Sequence, residues 1–299
     1  WRSITQWLGG MGIIVLSLAI LPVFGIGGMQ LFMAEVPGPT PYKLSPRIRQ
    51  TARALWIIYF GFTLTETLLL WLGGMTLFDA ICHSFTTMAT GGFSTKQASI
   101  AHWPSPFIQY VVIIFMFLAG TNFTLPYLAF TGKLKEVIKD EEFKYYFSFV
   151  SGFSLIIFAG LLLSSERNFE QAFRDSLFQV VSIITTTGFA TDDYLTWIPI
   201  LTILIFMLFF FGGSAGSTGG GIKIMRIVLL LKNSYYELRR IIHPQAIIPV
   251  KFNQRSVDYK IITNVLAFFM FYILLFCFSV VIMTIIEPDL ESAMGSVAT

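Results

Sequence analysis

The chain has 299 residues, 55% of them hydrophobic, 16% aromatic and only 12% charged. A soluble domain carries about a quarter charged residues, so an ordinary soluble globular protein is excluded. The formal net charge of +3 is small and no nucleic-acid partner is expected, while two cysteines, Cys82 and Cys277, both in apolar stretches, make neither a disulfide framework nor a metal site.

Taken in chain order, long apolar segments occupy about 8–28, 54–72, 107–130, 146–164, 197–231 (interrupted) and 261–286. Each has the ~20-residue scale that crosses a bilayer. Shorter apolar pieces lie at 78–89, 169–184 and from 290 to the end. These suit re-entrant helices, whose following loop survives at membrane depth only when buried in protein or lining a water-filled path. The fold class expected is an all-α polytopic membrane protein.

Charge sets the orientation. Connections 35–53, 131–144 and 223–260 hold 16 of the 20 Lys and Arg residues, which places them in the cytoplasm by the positive-inside rule. The short apolar pieces then dip in from outside. The outer connections carry Asp79, Glu166, Glu170, Asp175, Asp192, Asp193, Glu287, Asp289 and Glu291. An acidic mouth of this kind concentrates cations; the plainer reading is a set of ordinary solvated loop charges.

Each of the first two short pieces leads into a Thr/Gly loop: Thr87-Met88-Ala89-Thr90-Gly91-Gly92-Phe93-Ser94-Thr95 and Ile184-Thr185-Thr186-Thr187-Gly188-Phe189-Ala190-Thr191. The Gly-Phe pairs stand 96 positions apart, and an acid precedes each glycine by 13 residues, Asp79 before Gly92 and Asp175 before Gly188. Rings of backbone carbonyls replace the hydration shell of a bare cation without adding a full charge. Glycine relieves the strain of aiming successive carbonyls one way, and the C-terminal end of a preceding short helix favours a cation. The expected ion-binding residues are Thr90, Gly91, Gly92 and Phe93 in one loop, and Thr186, Thr187, Gly188 and Phe189 in the other. The alternative is a pair of buried turns that conduct nothing.

The order span, short helix, loop, span therefore occurs twice, and a third copy begins at 261, where Glu291 aligns with Asp175 and Asp79. The glycine of that copy would fall at about 304, past Thr299, and the segment 8–28 has no partner span before it. The expectation is a piece of a four-copy protein built around a central pore: 1–34 the last helix of a first repeat, 35–144 the second repeat with its loop at 90–94, 145–258 the third with its loop at 186–190 and a broken helix at 212–221, and 259–299 the start of a fourth.

That broken helix contains Gly212, Gly213, Gly216, Gly219, Gly220 and Gly221, six glycines in ten residues within a segment long enough to span. Such a run does not hold a helix. It reads as a mobile constriction beneath the loops, a gate; a close-packing surface of small residues is the alternative. It is not a phosphate-binding loop, because Gly221-Ile222-Lys223-Ile224 lacks the required Gly-Lys-Ser/Thr.

Among single residues, Glu66 lies within a span, where an acid is either functional or paired inside the bundle. Asn122, with Thr121 and Thr124, either lines a vestibule or bonds neighbouring helices. His83, His102 and His243 have no nucleophile or ligand partners in the sequence and read as structural. No mid-span carboxylate other than Glu66 is available for an acid–base pair, so the chain is not expected to be an enzyme and no cofactor is expected.

These residues carry a family resemblance. Trp1-Arg2-Ser3, Gln6-Trp7-Leu8-Gly9-Gly10-Met11-Gly12, Gly27-Gly28-Met29-Gln30, both Gly-Phe loops, the 212–221 break and Glu291-Ser292-Ala293-Met294-Gly295-Ser296-Val297-Ala298-Thr299 together make the chain resemble the Trk/Ktr/HKT cation transporter superfamily, most closely its bacterial TrkH-type subunits. The resemblance implies four membrane–pore–membrane units in one polypeptide, K⁺ as the transported ion, one key glycine per unit, and gating by the third unit's broken helix. It also implies a homodimer in the bacterial inner membrane, docked to a cytoplasmic nucleotide-binding subunit of TrkA type. A Na⁺-permeable or cation-coupled symporter on the same scaffold is the alternative; glycine in both visible loops favours K⁺.

Overall fold

The computed structural model describes residues 1–12, 48–243, 248–287 and 289–298. Most of the expected 8–28 segment, the 35–47 connection, Gly27-Gly28-Met29-Gln30 and the final Thr299 lie outside the described residues. Two compact units are present, Trp1–Ile224 and Met225–Thr299.

In the first unit, a short helix α1 (Arg2–Trp7) runs into a turn of π-helix at Leu8–Gly12. Helix α2 (Ile48–Leu72) is followed by a short helix, α3 (Leu77–Met88). Beyond the first Thr/Gly loop come α4 (Pro106–Ala119) and α5 (Thr124–Phe130). After a small helix α6 (Leu134–Lys139), the order returns: long helix α7 (Glu141–Ser164), short helix α8 (Phe169–Ile184), the second loop, then α9 (Pro199–Leu208). An open stretch separates α9 from α10 (Ile224–Ile242). The second unit holds most of α10, a two-residue hairpin β1 (Lys251–Phe252) with β2 (Arg255–Ser256), α11 (Tyr259–Ile286) and α12 (Leu290–Ala298).

Local chemistry sets these boundaries. Thr76 caps α3 by accepting the Asp79 N–H, and Asp140 caps α7 by accepting the Phe143 N–H at 2.8 Å. Each cap satisfies an amide that a helix start leaves orphaned. The Asp140 cap, with Glu141 and Glu142 in the first turn, starts α7 five residues ahead of the expected 146, because acids favour a helix N-terminus. Pro106 and Pro199 open α4 and α9, where a missing N–H costs nothing.

The segments Arg53–Leu72, Glu141–Ser164 and Tyr259–Ile286 are long and apolar enough to cross a membrane. The expected single span at 107–130 is instead two helices, α4 and α5, meeting at 105°. Gly120 sits at the corner, and a Cβ there would lie 2.5 Å from the Tyr146 hydroxyl and 2.6 Å from Thr185 Cγ2. Pro126, in the first turn of α5, suits a helix that starts anew.

Aromatic rings fill the interior of this unit. Trp7 stacks on Tyr59 at 5.3 Å and Tyr59 meets Phe123 edge-on. Phe117 stacks on Tyr146, whose hydroxyl donates to the Phe117 carbonyl at 3.1 Å. Large apolar side chains such as Phe60, Leu64, Leu68, Leu155, Leu163, Ile200 and Ile203 are exposed, an arrangement suited to lipid.

Candidate functional site

The two Thr/Gly loops adopt one backbone conformation. Thr90 and Gly92 are left-handed, with φ of 51° and 67°; so are Thr186 and Gly188, at 58° and 82°. The four form two pairs at the 96-residue offset. A left-handed threonine is costly, and the surrounding hydrogen bonds hold it. Thr90 N–H donates to Thr87 O and Gly91 N–H to Thr86 O; at the offset, Thr186 N–H donates to Ile183 O and Thr187 N–H to Ser182 O. The Thr86 hydroxyl donates to the Phe93 carbonyl at 3.0 Å, and the Ser182 hydroxyl to the Phe189 carbonyl at 2.6 Å. Each hydroxyl thus closes its loop back onto its own short helix.

The loops meet. A Cβ on Gly92 would overlap the Thr187 carbonyl oxygen, whereas one on Gly188 would find nothing within 4 Å among the described residues. Gly91 is covered by Gln6, whose side-chain amide donates to the Gly91 carbonyl at 3.4 Å. Phe189 is fully buried beside His83, while Phe93 is exposed under the Arg2 guanidinium at 3.8 Å. Past the glycines, Ala190 accepts the Ala101 N–H and donates to the Ser99 hydroxyl. All eight expected loop residues therefore belong to two contiguous loops in direct contact.

The two acids that precede the glycines are buried braces rather than parts of an open acidic mouth. Asp79 accepts from the Thr95 and Thr76 hydroxyls at 2.5 and 2.8 Å, with Lys96 at 3.9 Å. Burial pushes its carboxyl up, but the Thr95 and Thr76 hydroxyls and the Lys96 charge outweigh burial and hold it below the usual carboxylate range. Asp175 takes a different partner, Arg167 at 2.8 Å, and Arg167 also holds Asp192 at 2.7 Å. His83 is buried and bonds Asp79 O and the Ser94 hydroxyl.

The glycine-rich break lies against both loops. Thr218 donates its hydroxyl to Met88 O at 3.0 Å, at the end of α3, and Gly220 N–H donates to the Thr186 hydroxyl at 2.6 Å. A Cβ on Gly219 would come 2.8 Å from Thr185 O. The α4–α5 corner supplies further anchors. Ser214 N–H donates to Gly120 O at 2.8 Å, Thr218 N–H to Ala119 O, and Phe123 N–H to Gly216 O. Gly216 and Gly221 are left-handed, and Gly212 N–H closes the break on Ile222 O. The Glu142 carboxylate accepts the Ala215 N–H at 2.6 Å, and the Lys223 ammonium donates to Gly219 O. Asn122 neither bonds a neighbouring helix through its Oδ1 nor stands alone: that oxygen accepts the Thr124 N–H and packs against Gly216.

Glu66 is fully buried, and among the described residues neither carboxylate oxygen has a hydrogen-bond partner within 3.5 Å. Sequence reasoning missed Thr86, Ser182, Gly120, Thr218 and Glu142. The first two carried a signal, a hydroxyl at the 96-residue offset. Gly120 carried one as well, a glycine four residues before Thr124, where a new helix begins.

The model of the TrkH family, described as cation transport protein, matches residues 1–297. The chain belongs to the TrkH family of cation transport proteins. TrkH-family members are transporters and not enzymes, and with its apolar helices the chain is a multi-pass membrane protein. It is 43% identical over 302 residues to the Trk system potassium uptake protein TrkH of Escherichia coli K12, covering 99% of this chain and 62% of that protein. It is 34% identical to the Trk system potassium uptake protein TrkG of the same organism, again over 62% of that protein's length. The crystal structure of the potassium transporter TrkH from Vibrio parahaemolyticus superposes with a TM-score of 0.85 at 40% identity, over 99% of this chain and 61% of that one. The chain thus spans about three-fifths of the length of the TrkH-family relatives it matches.

Proposed function

We propose that this chain forms part of the channel-like translocating subunit of a Trk-type K⁺ uptake system in the bacterial inner membrane. Oxygens of Thr90, Gly91, Gly92 and Phe93, with those of Thr186, Thr187, Gly188 and Phe189, take the place of water around K⁺. The glycine-rich break at 212–221 is the gate below them. One observation carries this reading: two loops share a left-handed pair at 90/92 and 186/188 and touch at Gly92 and Thr187, as walls of a common ion path require. The names of the relatives, Trk system potassium uptake proteins, support K⁺ as the ion.

The repeat boundaries at 34/35, 144/145 and 258/259 follow from the same reading, with the basic connections on the cytoplasmic side. So do a homodimer, surrounding lipid, and a cytoplasmic nucleotide-binding partner of TrkA type that docks on those connections. The test uses the full-length protein in a strain that depends on it for K⁺ uptake. Gly92→Ser and Gly188→Ser should each lower Rb⁺ uptake and raise Na⁺ entry relative to Rb⁺. Wild-type uptake and selectivity in both variants would overturn the proposal.

A further inference from the structure

The glycine-rich break is held mostly by backbone groups and hydroxyls, which exchange partners at little net cost. Glu142 differs. It sits in the first turn of α7, is 5% exposed, and its carboxylate accepts the Ala215 N–H at 2.6 Å across 73 positions of chain. A charge-assisted bond in a water-poor site is about twice as strong as a neutral one. Ala215 lies mid-break, between Ser214, tied to Gly120 O, and Gly216, which accepts the Phe123 N–H. The carboxylate therefore grips a turn of the break that is also tied to the α4–α5 corner. The N-terminal dipole of α7 stabilises the charge that does the gripping.

We infer that Glu142 is the latch of the break: its carboxylate holds Ala215 so that Thr218 and Gly220 stay seated under the two loops. Glu142 is a positioning residue, acting on the ion path through Ala215. This inference rests on the gate reading of 212–221. It is tested in the full-length protein, reconstituted in liposomes, by Rb⁺ influx and by thiol labelling of a reporter, Ser217→Cys. Glu142→Ala should raise basal Rb⁺ influx about tenfold and speed labelling at 217. Glu142→Gln, which keeps an acceptor oxygen without the charge, should give a smaller rise in both. A deletion of 214–220 serves as the reference for an absent gate. If the deletion raises influx while Glu142→Ala leaves influx and labelling at wild-type values, the latch is wrong and the gate stands. If the deletion leaves influx unchanged, the gate reading fails and takes the latch with it. Should Glu142→Ala not elute as a folded species, Glu142→Gln decides: a rise in influx and labelling supports the latch, wild-type values overturn it.

Discussion

The Thr218 hydroxyl donates to the Met88 carbonyl at 3.0 Å, joining residues 130 positions apart. Met88 ends the short helix that leads into the first loop, so the bond ties the break to a carbonyl that the helix itself leaves unpaired. Thr218→Val keeps the shape and removes the donor. It should loosen the break and raise basal Rb⁺ influx a few-fold, in line with a bond worth about 1 kcal/mol. Influx at the wild-type rate would detach Thr218 from gating.

The glycines of the two loops should not respond alike. Gly92→Ala meets both a left-handed φ and the Thr187 carbonyl; Gly188→Ala meets only the φ. Strain at such a φ costs of order 1–3 kcal/mol, and the overlap adds to it. Thermal melting of the full-length protein should therefore fall further for Gly92→Ala than for Gly188→Ala. Equal losses would contradict the close approach of the loops.

Ser182→Ala and Thr86→Val remove matched hydroxyls from the Phe189 and Phe93 carbonyls. Each should cost about 0.5–1.5 kcal/mol and relax its loop. The functional readout is the ratio of Rb⁺ to Na⁺ uptake, expected to drop in both variants, because carbonyl placement sets discrimination. Lowered stability with unchanged selectivity would make the hydroxyls mere fasteners.

Asp79 predicts an acid response. Its carboxyl is held below the usual range in the fold, so its contribution to stability is complete above the unfolded value of about 3.9. That contribution is lost as pH falls through the lower, folded value. Thr95→Val removes a donor to the charged form and should move the acid transition to higher pH in a fluorescence titration. No movement would show that Thr95 does not hold the charge.

Glu66 offers a test of an opposite kind. A buried carboxylate without a hydrogen-bond partner among the described residues is expensive when charged, and Gln keeps its shape without the charge. Glu66→Gln should melt at or above the wild-type temperature. A clear fall in melting temperature would mean the carboxylate has a partner that matters.

Much of the layout was legible beforehand because apolar blocks and glycine runs are one-dimensional signals. The short helix at 169–184 was read to the residue, bounded by charge on one side and threonines on the other. The loops were legible from a repeat, and a repeat survives in sequence whatever the backbone does. What escaped depended on contacts across the chain. The 105° corner at Gly120 looks like continuous span in sequence, since Gly120-Thr121-Asn122 is only three residues between the apolar flanks Ala119 and Phe123, and the need for glycine there comes from the closeness of Tyr146 and Thr185. Likewise Glu142 stands beside Asp140 and Glu141 with nothing in sequence to set it apart until Ala215 is placed beside it. The acids Asp79 and Asp175 were noticed for their spacing, yet their role as braces rests on Thr95 and Arg167, which no spacing rule picks out.

Those two braces have separated in kind. Asp79 leans on hydroxyls, Asp175 on a guanidinium that it shares with Asp192. A duplicated motif inside a single polypeptide is free to drift copy by copy, a freedom denied to identical subunits around a symmetry axis. Arg167 serves two carboxylates with one planar fork that lysine does not reproduce, so Arg167→Lys would loosen the second copy while its sibling, built on Thr76 and Thr95, stays firm.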